Sequence, residues 1–227
     1  MKTIINMGHK APILQAIFHT LIHEIKGELA DCETVLDLGC GPKSPIGECK
    51  WLRRSVGVEA YEPYIELSKE RGIHSEYIKG DITQLEFEPG SFDAVTLIDV
   101  IEHMEEEVAL DVIRKAEIWA KKKVLISSPN GFVEQMALDG NTLQEHLSGW
   151  DYEKMKSMGF SIKGMAGLKY LRGEVEGGEM GDDIRVSIKF RPKTFWFFVS
   201  TLTQLFTFRF PSQAYSLFSV KNLEKND

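Results

Sequence analysis

The sequence predicts an α/β fold: a mostly parallel sheet with helices on both faces. Three observations lead there. Short apolar runs alternate with helical segments from about residue 34 to residue 129, the pattern of successive strand–helix units. The first run, VLDLGCGPKSP at 35–45, passes directly into a glycine turn, as in a doubly wound nucleotide-binding sheet. The run FDAVTLIDV is apolar almost throughout, as expected of a strand covered on both faces.

The elements follow in order. Leu14, Ile17, Phe18, Leu21, Ile25 and Leu29 recur at helical spacing and predict an N-terminal helix over 12–29. His19 and His23 fall on its other face and read as a solvated pair rather than a metal site. ETVLDLG reads as the first strand, IGECKWLRR as a short helix and SVGVEAY as the second strand. EPYIELSKERG reads as a helix ended by Gly72. HSEYIKGD and FDAVTLIDV are the third and fourth strands. A helix over 105–120 turns Val108, Val112, Ile113 and Ala116 inward. Lys121, Lys122 and Lys123 read as its exposed end, favourable against the helix dipole. KKVLISSP is the fifth strand.

Past residue 130 the pattern changes. DYEKMKSMGFSIKG predicts a helix, then a strand from Phe160, and GEVEGGEMGDD predicts a mobile acidic loop at 173–183. No charge lies between Lys193 and Arg209. In that stretch Phe195, Phe198, Val199, Leu202, Leu205 and Phe206 share one helical face, with Ser200, Thr203, Gln204 and Thr207 opposite. At about 15 residues the segment is short of the roughly 20 that span a bilayer. SQAYSLFSVKN reads as the last strand. The whole, 1–227, is one domain with an apolar helical insertion at about 193–209 before that strand.

Composition narrows the function. With 43% hydrophobic and 27% charged residues, the chain reads as a soluble globular protein. Its 227 residues can bury roughly 70% of the unfolded surface, so it needs no disulfide or metal staple. Acids outnumber bases 34 to 27, and the net charge of −7 gives no general attraction to nucleic acid. The three cysteines, Cys32, Cys40 and Cys49, are odd in number and form no CxxC. They read as reduced thiols, and the chain as cytoplasmic. MKTIINMGHKAP lacks the apolar run of a signal peptide.

Ligands of such sheets sit beyond the carboxyl ends of the strands. Three strand ends here carry suitable groups. The first offers the GxG turn. The second ends in Glu59, 18 residues past Gly41, where a carboxylate can accept both hydroxyls of a ribose. The third ends in Gly80-Asp81-Ile82, an acid and an apolar residue suited to an adenine edge and face. A pyrophosphate would need a third glycine and free backbone donors at a helix start. Ser44 takes that place, and Pro42 and Pro45 remove donors. Asp37, inside the first strand, suits a cation such as an ammonium. The ligand therefore reads as a nucleoside with a zwitterionic tail and no phosphate, which describes S-adenosylmethionine.

VLDLGCGPKSP resembles the first motif of the class I S-adenosylmethionine-dependent methyltransferases. GVEAYEP, KGDITQL and FDAVTLIDVIEHM resemble the second, third and fourth, over about residues 30–160. The resemblance implies a Rossmann-like, seven-stranded sheet with its last strand antiparallel. It implies that Asp37, Gly39, Cys40 and Gly41 surround the methionine part of the cofactor. Glu59 and Ala60 would lie at the ribose, Asp81 and Ile82 at the adenine, and Asp99 near the sulfonium. The acceptor is expected to be a hydroxyl of a small molecule, glycan or lipid.

The EH of DVIEHM, the PN after the fifth strand and the His146…Trp150 pair resemble a branch holding ubiquinone-pathway O-methyltransferases and small-RNA 2′-O-methyltransferases. That resemblance implies a divalent metal on Asp99, Glu102, His103 and His146, a donor set suited to Mg²⁺ or Mn²⁺. Against it, position 99 is Asp where those enzymes carry Glu. Without a metal, Glu102 is a helix-start acid, and His103 and His146 are a packed imidazole and a pocket residue or general base. A metal-assisted RNA enzyme and a non-catalytic cofactor-binding protein are the rival readings. The apolar helix is either a lid, with Trp196 and Phe197 enlarging the acceptor site, or an interfacial helix against lipid. Its polar face lacks the Lys and Arg of membrane binders, which favours the lid.

Overall fold

The computed structural model describes residues 12–137, 140–173 and 187–223. Seven strands form one sheet: β1 (Thr34–Leu38), β2 (Arg54–Glu59), β3 (Glu76–Lys79), β4 (Phe92–Ile98), β5 (Ala120–Pro129), β6 (Ser161–Leu168) and β7 (Ala214–Asn222). Their order is β3-β2-β1-β4-β5-β7-β6. The strands from β3 to β5 pair in parallel, and β7 runs antiparallel to both of its neighbours. This is the expected mostly parallel sheet with an antiparallel last strand. Alternation along each strand splits the core into two layers. Leu36, Val95 and Val124 pack with the helix Glu106–Trp119, while Val35, Ala94 and Leu125 pack with Ile25 and Leu29.

Several elements differ from the sequence pattern. The helix over 12–29 is two helices, α1 (Pro12–Ile17) and α2 (Leu21–Glu28). His19 interrupts them at φ 46, a left-handed conformation that no right-handed helix can pass through. Thr20 then caps α2 by accepting from the His23 N–H. His19 is not part of a solvated pair. Its ring stacks on Phe208 at 3.7 Å, and its Nδ1 lies 2.9 Å from Glu24. The short helix of IGECKWLRR is a single 3-10 turn, Pro45–Glu48, because too few residues remain before β2 for a cooperative α-helix.

After β2, α3 (Glu62–Glu70) ends before Gly72 at φ 59. Helix α4 (Glu106–Trp119) buries Ala109, Val112, Ile113, Ala116 and Trp119, but Val108 faces outward. Lys121, Lys122 and Lys123 are not a helix end. The backbone is already extended at Ala120, so all three belong to β5. Lys122 and Lys123 reach the backbone carbonyls of Asp31 and Glu28. The acidic loop at 173–183 lies outside the described residues from residue 174 on.

Helix α5 (Tyr152–Ser157) precedes β6 as expected. Helix α6 (Lys193–Thr207) forms where the periodicity places it, with its polar face turned inward. Ser200, Gln204 and Thr207 are buried, while Phe195, Phe198, Leu202, Leu205 and Phe206 are exposed. The cause is β6. A Cβ at Gly167 would stand 2.1 Å from the Ser200 carbonyl oxygen, and one at Gly164 2.1 Å from that of Thr207. Bare strand thus lets the helix backbone approach closely. The polar face is then used up in hydrogen bonds. Gln204 Nε2 donates to the Gly164 carbonyl and Oε1 accepts from the Gly167 N–H, each at 2.9 Å. Thr203 Oγ1 accepts from the Leu168 N–H at 3.0 Å, and Ser200 Oγ donates to the Ala166 carbonyl at 3.1 Å. Among the described residues, no helix is long and apolar enough to cross a membrane.

Candidate functional site

A cavity of about 640 Å³ opens at the carboxyl ends of β1, β2, β3 and β4. Nine residues singled out in the sequence line it: Asp37, Gly39, Cys40, Gly41, Glu59, Ala60, Asp81, Ile82 and Asp99. Gly39 has φ 63, and a Cβ there would meet Val100 at 2.8 Å. Only glycine lets the turn leave β1 in that direction.

Glu59 closes this turn onto β2. Its Oε2 accepts from the Gly41 N–H at 3.0 Å and its Oε1 from the Tyr61 N–H at 2.8 Å. Burial pushes its carboxyl above the usual range, and those backbone donors pull it back. Each oxygen keeps a lone pair for a ligand hydroxyl. Asp81 Oδ1 accepts from the Thr83 N–H at 2.9 Å, which fixes the turn after β3.

Asp37 is more enclosed than the sequence suggests. In register it sits between Gly57 of β2 and Thr96 of β4. Thr96 Oγ1 donates to its Oδ1 and Ser44 Oγ to its Oδ2, both at 2.6 Å. The buried His74 Nε2 lies 3.2 Å from Oδ2, outside hydrogen-bond geometry. Asp37 therefore braces the glycine turn as well as lining the cavity. Sequence reasoning missed Thr96, Ser44 and His74, because partners from three separate elements leave no local pattern. Cys40 also lines the cavity, but burial pushes its thiol well up, so it is no nucleophile. Cys32 and Cys49 are free and buried.

Asp99 follows β4 directly and has φ 54, an uncommon conformation for a side-chain-bearing residue. Two bonds from Ser127 hold it: its N–H donates to the Ser127 carbonyl at 2.9 Å, and Ser127 Oγ donates to its Oδ1 at 2.8 Å. Burial raises its carboxyl pKa.

Beyond Asp99, a 3-10 turn, Ile101–His103, carries Glu102 and His103. Ligand atoms of Glu102, His103 and His146 all lie within 4.8 Å of one another. Asp99, the fourth residue expected there, is not in this group. His103 lines the cavity, and Glu102 and His146 are not among its lining residues. His103 Nδ1 contacts the Glu145 carbonyl at 3.1 Å and His146 Nδ1 the Val133 carbonyl at 2.5 Å. A carbonyl only accepts, so both Nδ1 atoms carry the proton and both Nε2 atoms keep a lone pair. Burial holds the His103 pKa down at about 4, so the ring is neutral at pH 7. Glu102 is buried and its Oε2 has no partner. Burial, then the Asp99 charge, push its carboxyl well above the usual range. Neutral imidazoles and an orphaned carboxylate oxygen in one cluster are what a divalent cation would satisfy.

The loop bearing His146 is fastened to this turn. Leu147 and Ser148 N–H groups donate to the Glu102 carbonyl, at 2.8 and 3.1 Å. The fully buried Trp150 donates its indole N–H to the Ile101 carbonyl at 3.2 Å and to Ser148 Oγ at 2.9 Å. The sequence pairs His146 with Trp150 without showing why; Trp150 is the anchor that brings His146 to Glu102. Met104, Asn141, Leu143 and Gln144 complete the cavity on this side. No residue of α6 is among those that line this cavity. Phe197 packs over the Arg172 guanidinium instead, and Trp196 against Phe190.

Residues 36–121 match the family model described as a methyltransferase domain. No curated protein matches the sequence. Solved structures share the fold at low identity. The methyltransferase domain of bacterial CtHen1-C is 15% identical with a TM-score of 0.54, over 90% of this chain and 97% of that one. A protein from Pyrococcus horikoshii OT3 is 17% identical with a TM-score of 0.55, over 92% and 91%. A SAM-dependent methyltransferase from Archaeoglobus fulgidus is 16% identical with a TM-score of 0.52, over 92% and 98%.

Proposed function

We propose that the chain, whose residues 36–121 match the methyltransferase-domain model, is a class I S-adenosylmethionine-dependent methyltransferase that methylates a hydroxyl of a small-molecule, glycan or lipid acceptor with the help of a divalent cation. The observation that carries this reading is the Glu102–His103–His146 group, whose ligand atoms lie within 4.8 Å of one another, with His103 lining the cavity.

In this reading the cofactor lies along the strand ends. Glu59 accepts the ribose hydroxyls through its remaining lone pairs. Asp81 and Ile82 take the adenine. The backbone of Gly39, Cys40 and Gly41 lies against the methionine part, with the Asp37 charge behind it attracting the ammonium. Asp99 and His103 flank the reacting end. The acceptor hydroxyl gives up its proton to water, its oxygen attacks the methyl carbon, the carbon–sulfur bond breaks, and that bond's electron pair neutralises the sulfonium. In-line placement of the two reactants supplies much of the rate. When bound to Glu102, His103 and His146, a divalent cation would lower the pKa of the acceptor hydroxyl. The two backbone carbonyls hold the imidazoles in the tautomer that binding requires.

Transfer from labelled S-adenosylmethionine into separated lipid, glycan, RNA and small-molecule fractions tests this. We expect label in a non-RNA fraction, lost in EDTA and restored by Mg²⁺ or Mn²⁺. Full turnover in EDTA removes the cation. Label in RNA replaces the acceptor class, against the acidic charge of −7. Cofactor binding without any transfer leaves a non-catalytic binding protein.

A further inference from the structure

We propose that the outer face of α6 is a docking surface for an anionic lipid membrane. Phe195, Phe198, Leu202, Leu205, Phe206 and Phe210 are each about half exposed or more, and Leu202 reaches 62%. Large apolar side chains gathered on one helix face differ from the singly scattered exposures that are normal on a protein surface. It is not a helix that failed to turn over, because its opposite face is held to β6 by the Ser200, Thr203 and Gln204 bonds. The apolar side has nowhere inside to go.

Charge selects the occupant. From Ile184 to Leu223 the sequence holds six Lys and Arg and no acid, in a chain of net charge −7. Lys189, Arg191 and Lys193 precede or open α6, and Arg209 follows it. An ordinary interfacial helix carries its cations on a water-facing polar face. Here that face is bonded to the protein, so the cations stand at the helix ends instead, where they can meet anionic headgroups. Aromatic rings gather at the first end, with Trp196 against Phe190 at 5.1 Å and Phe190 against Tyr170 at 5.6 Å. Trp and Tyr favour the headgroup level of a bilayer. Near the other end, Phe208 stacks on His19, and α1, just before His19, exposes Ile13 and Ile17.

A second copy of the chain suits this face less well. Two copies laid face to face, parallel or antiparallel, would set the cations at its ends against cations, a like-charge cost that a surface of anionic headgroups does not carry.

The test is flotation of the full chain with vesicles of phosphatidylcholine, with or without phosphatidylserine. We expect the chain to float with the phosphatidylserine vesicles and to be released at high ionic strength. The triple variant Phe198→Ser, Leu202→Ser, Phe206→Ser should bind them about tenfold more weakly or worse, with its melting temperature and cofactor binding unchanged. A chain that stays at the bottom with both vesicles overturns the proposal. So does flotation that the triple variant does not weaken. A dimer in light scattering that the triple variant converts to monomer assigns the face to a second copy and also overturns it.

Discussion

Helices α4 and α6 are built from the same kind of pattern and sit in opposite ways. Both run about four turns beside the sheet, with an apolar and a polar face. Helix α4 turns Val112, Ile113 and Ala116 into the core and its charges to water. Helix α6 turns Ser200, Gln204 and Thr207 inward and a row of Phe and Leu outward. The difference lies in what each packs against. Helix α4 meets a closed apolar layer, where burying methyl groups is favourable. Helix α6 meets the last strand of the sheet, whose Gly164–Leu168 backbone holds N–H and C=O groups that β7 does not take. An unpaired buried backbone group costs enough to decide orientation. Amphipathic pattern thus defines two faces, and the partner decides which one goes in.

Three substitutions rank this contrast. Ile113→Ala on α4 should lower unfolding free energy by about 2–5 kcal/mol in chemical denaturation, the usual cost of a core cavity. Gln204→Leu on α6 should cost about 1–3 kcal/mol despite adding an apolar side chain, because the Gly164 carbonyl and the Gly167 N–H lose their partner. A stabilised Gln204→Leu protein would mean that the inward face of α6 prefers apolar contact. Leu202→Ala should leave stability within about 0.5 kcal/mol, as at an exposed site. A loss as large as that of Ile113→Ala would place Leu202 in a core and erase the contrast.

The same contrast shows what the sequence could carry. The strands from β1 to β5 were legible as successive short apolar runs, the first four of which end at Gly39, Glu59, Gly80-Asp81 and Asp99. The cofactor half of the cavity was legible for the same reason: Gly39, Glu59 and Asp81 act from consecutive strand ends. The orientation of α6 was not, because it rests on two glycines of β6 and on hydrogen bonds formed only after the sheet has assembled. The break at His19 was hidden too, since Leu14 to Leu29 keep helical spacing straight across it. Glu102, His103 and His146 could be named only by resemblance. What brings His146 to the other two, the indole of Trp150 on the Ile101 carbonyl, spans 49 residues.

The bonds between α6 and β6 also bear on solubility. Strand β6 is the outermost of its sheet, and an exposed outer strand is a template on which further chains can add. Gln204 and Thr203 occupy the amide groups of Gly167 and Leu168, as an incoming strand would. The helix therefore works as a stopper at the end of the sheet. A chain from which Lys193–Thr207 alone is excised, with β7 kept, would uncover the segment best placed to seed strand-by-strand aggregation.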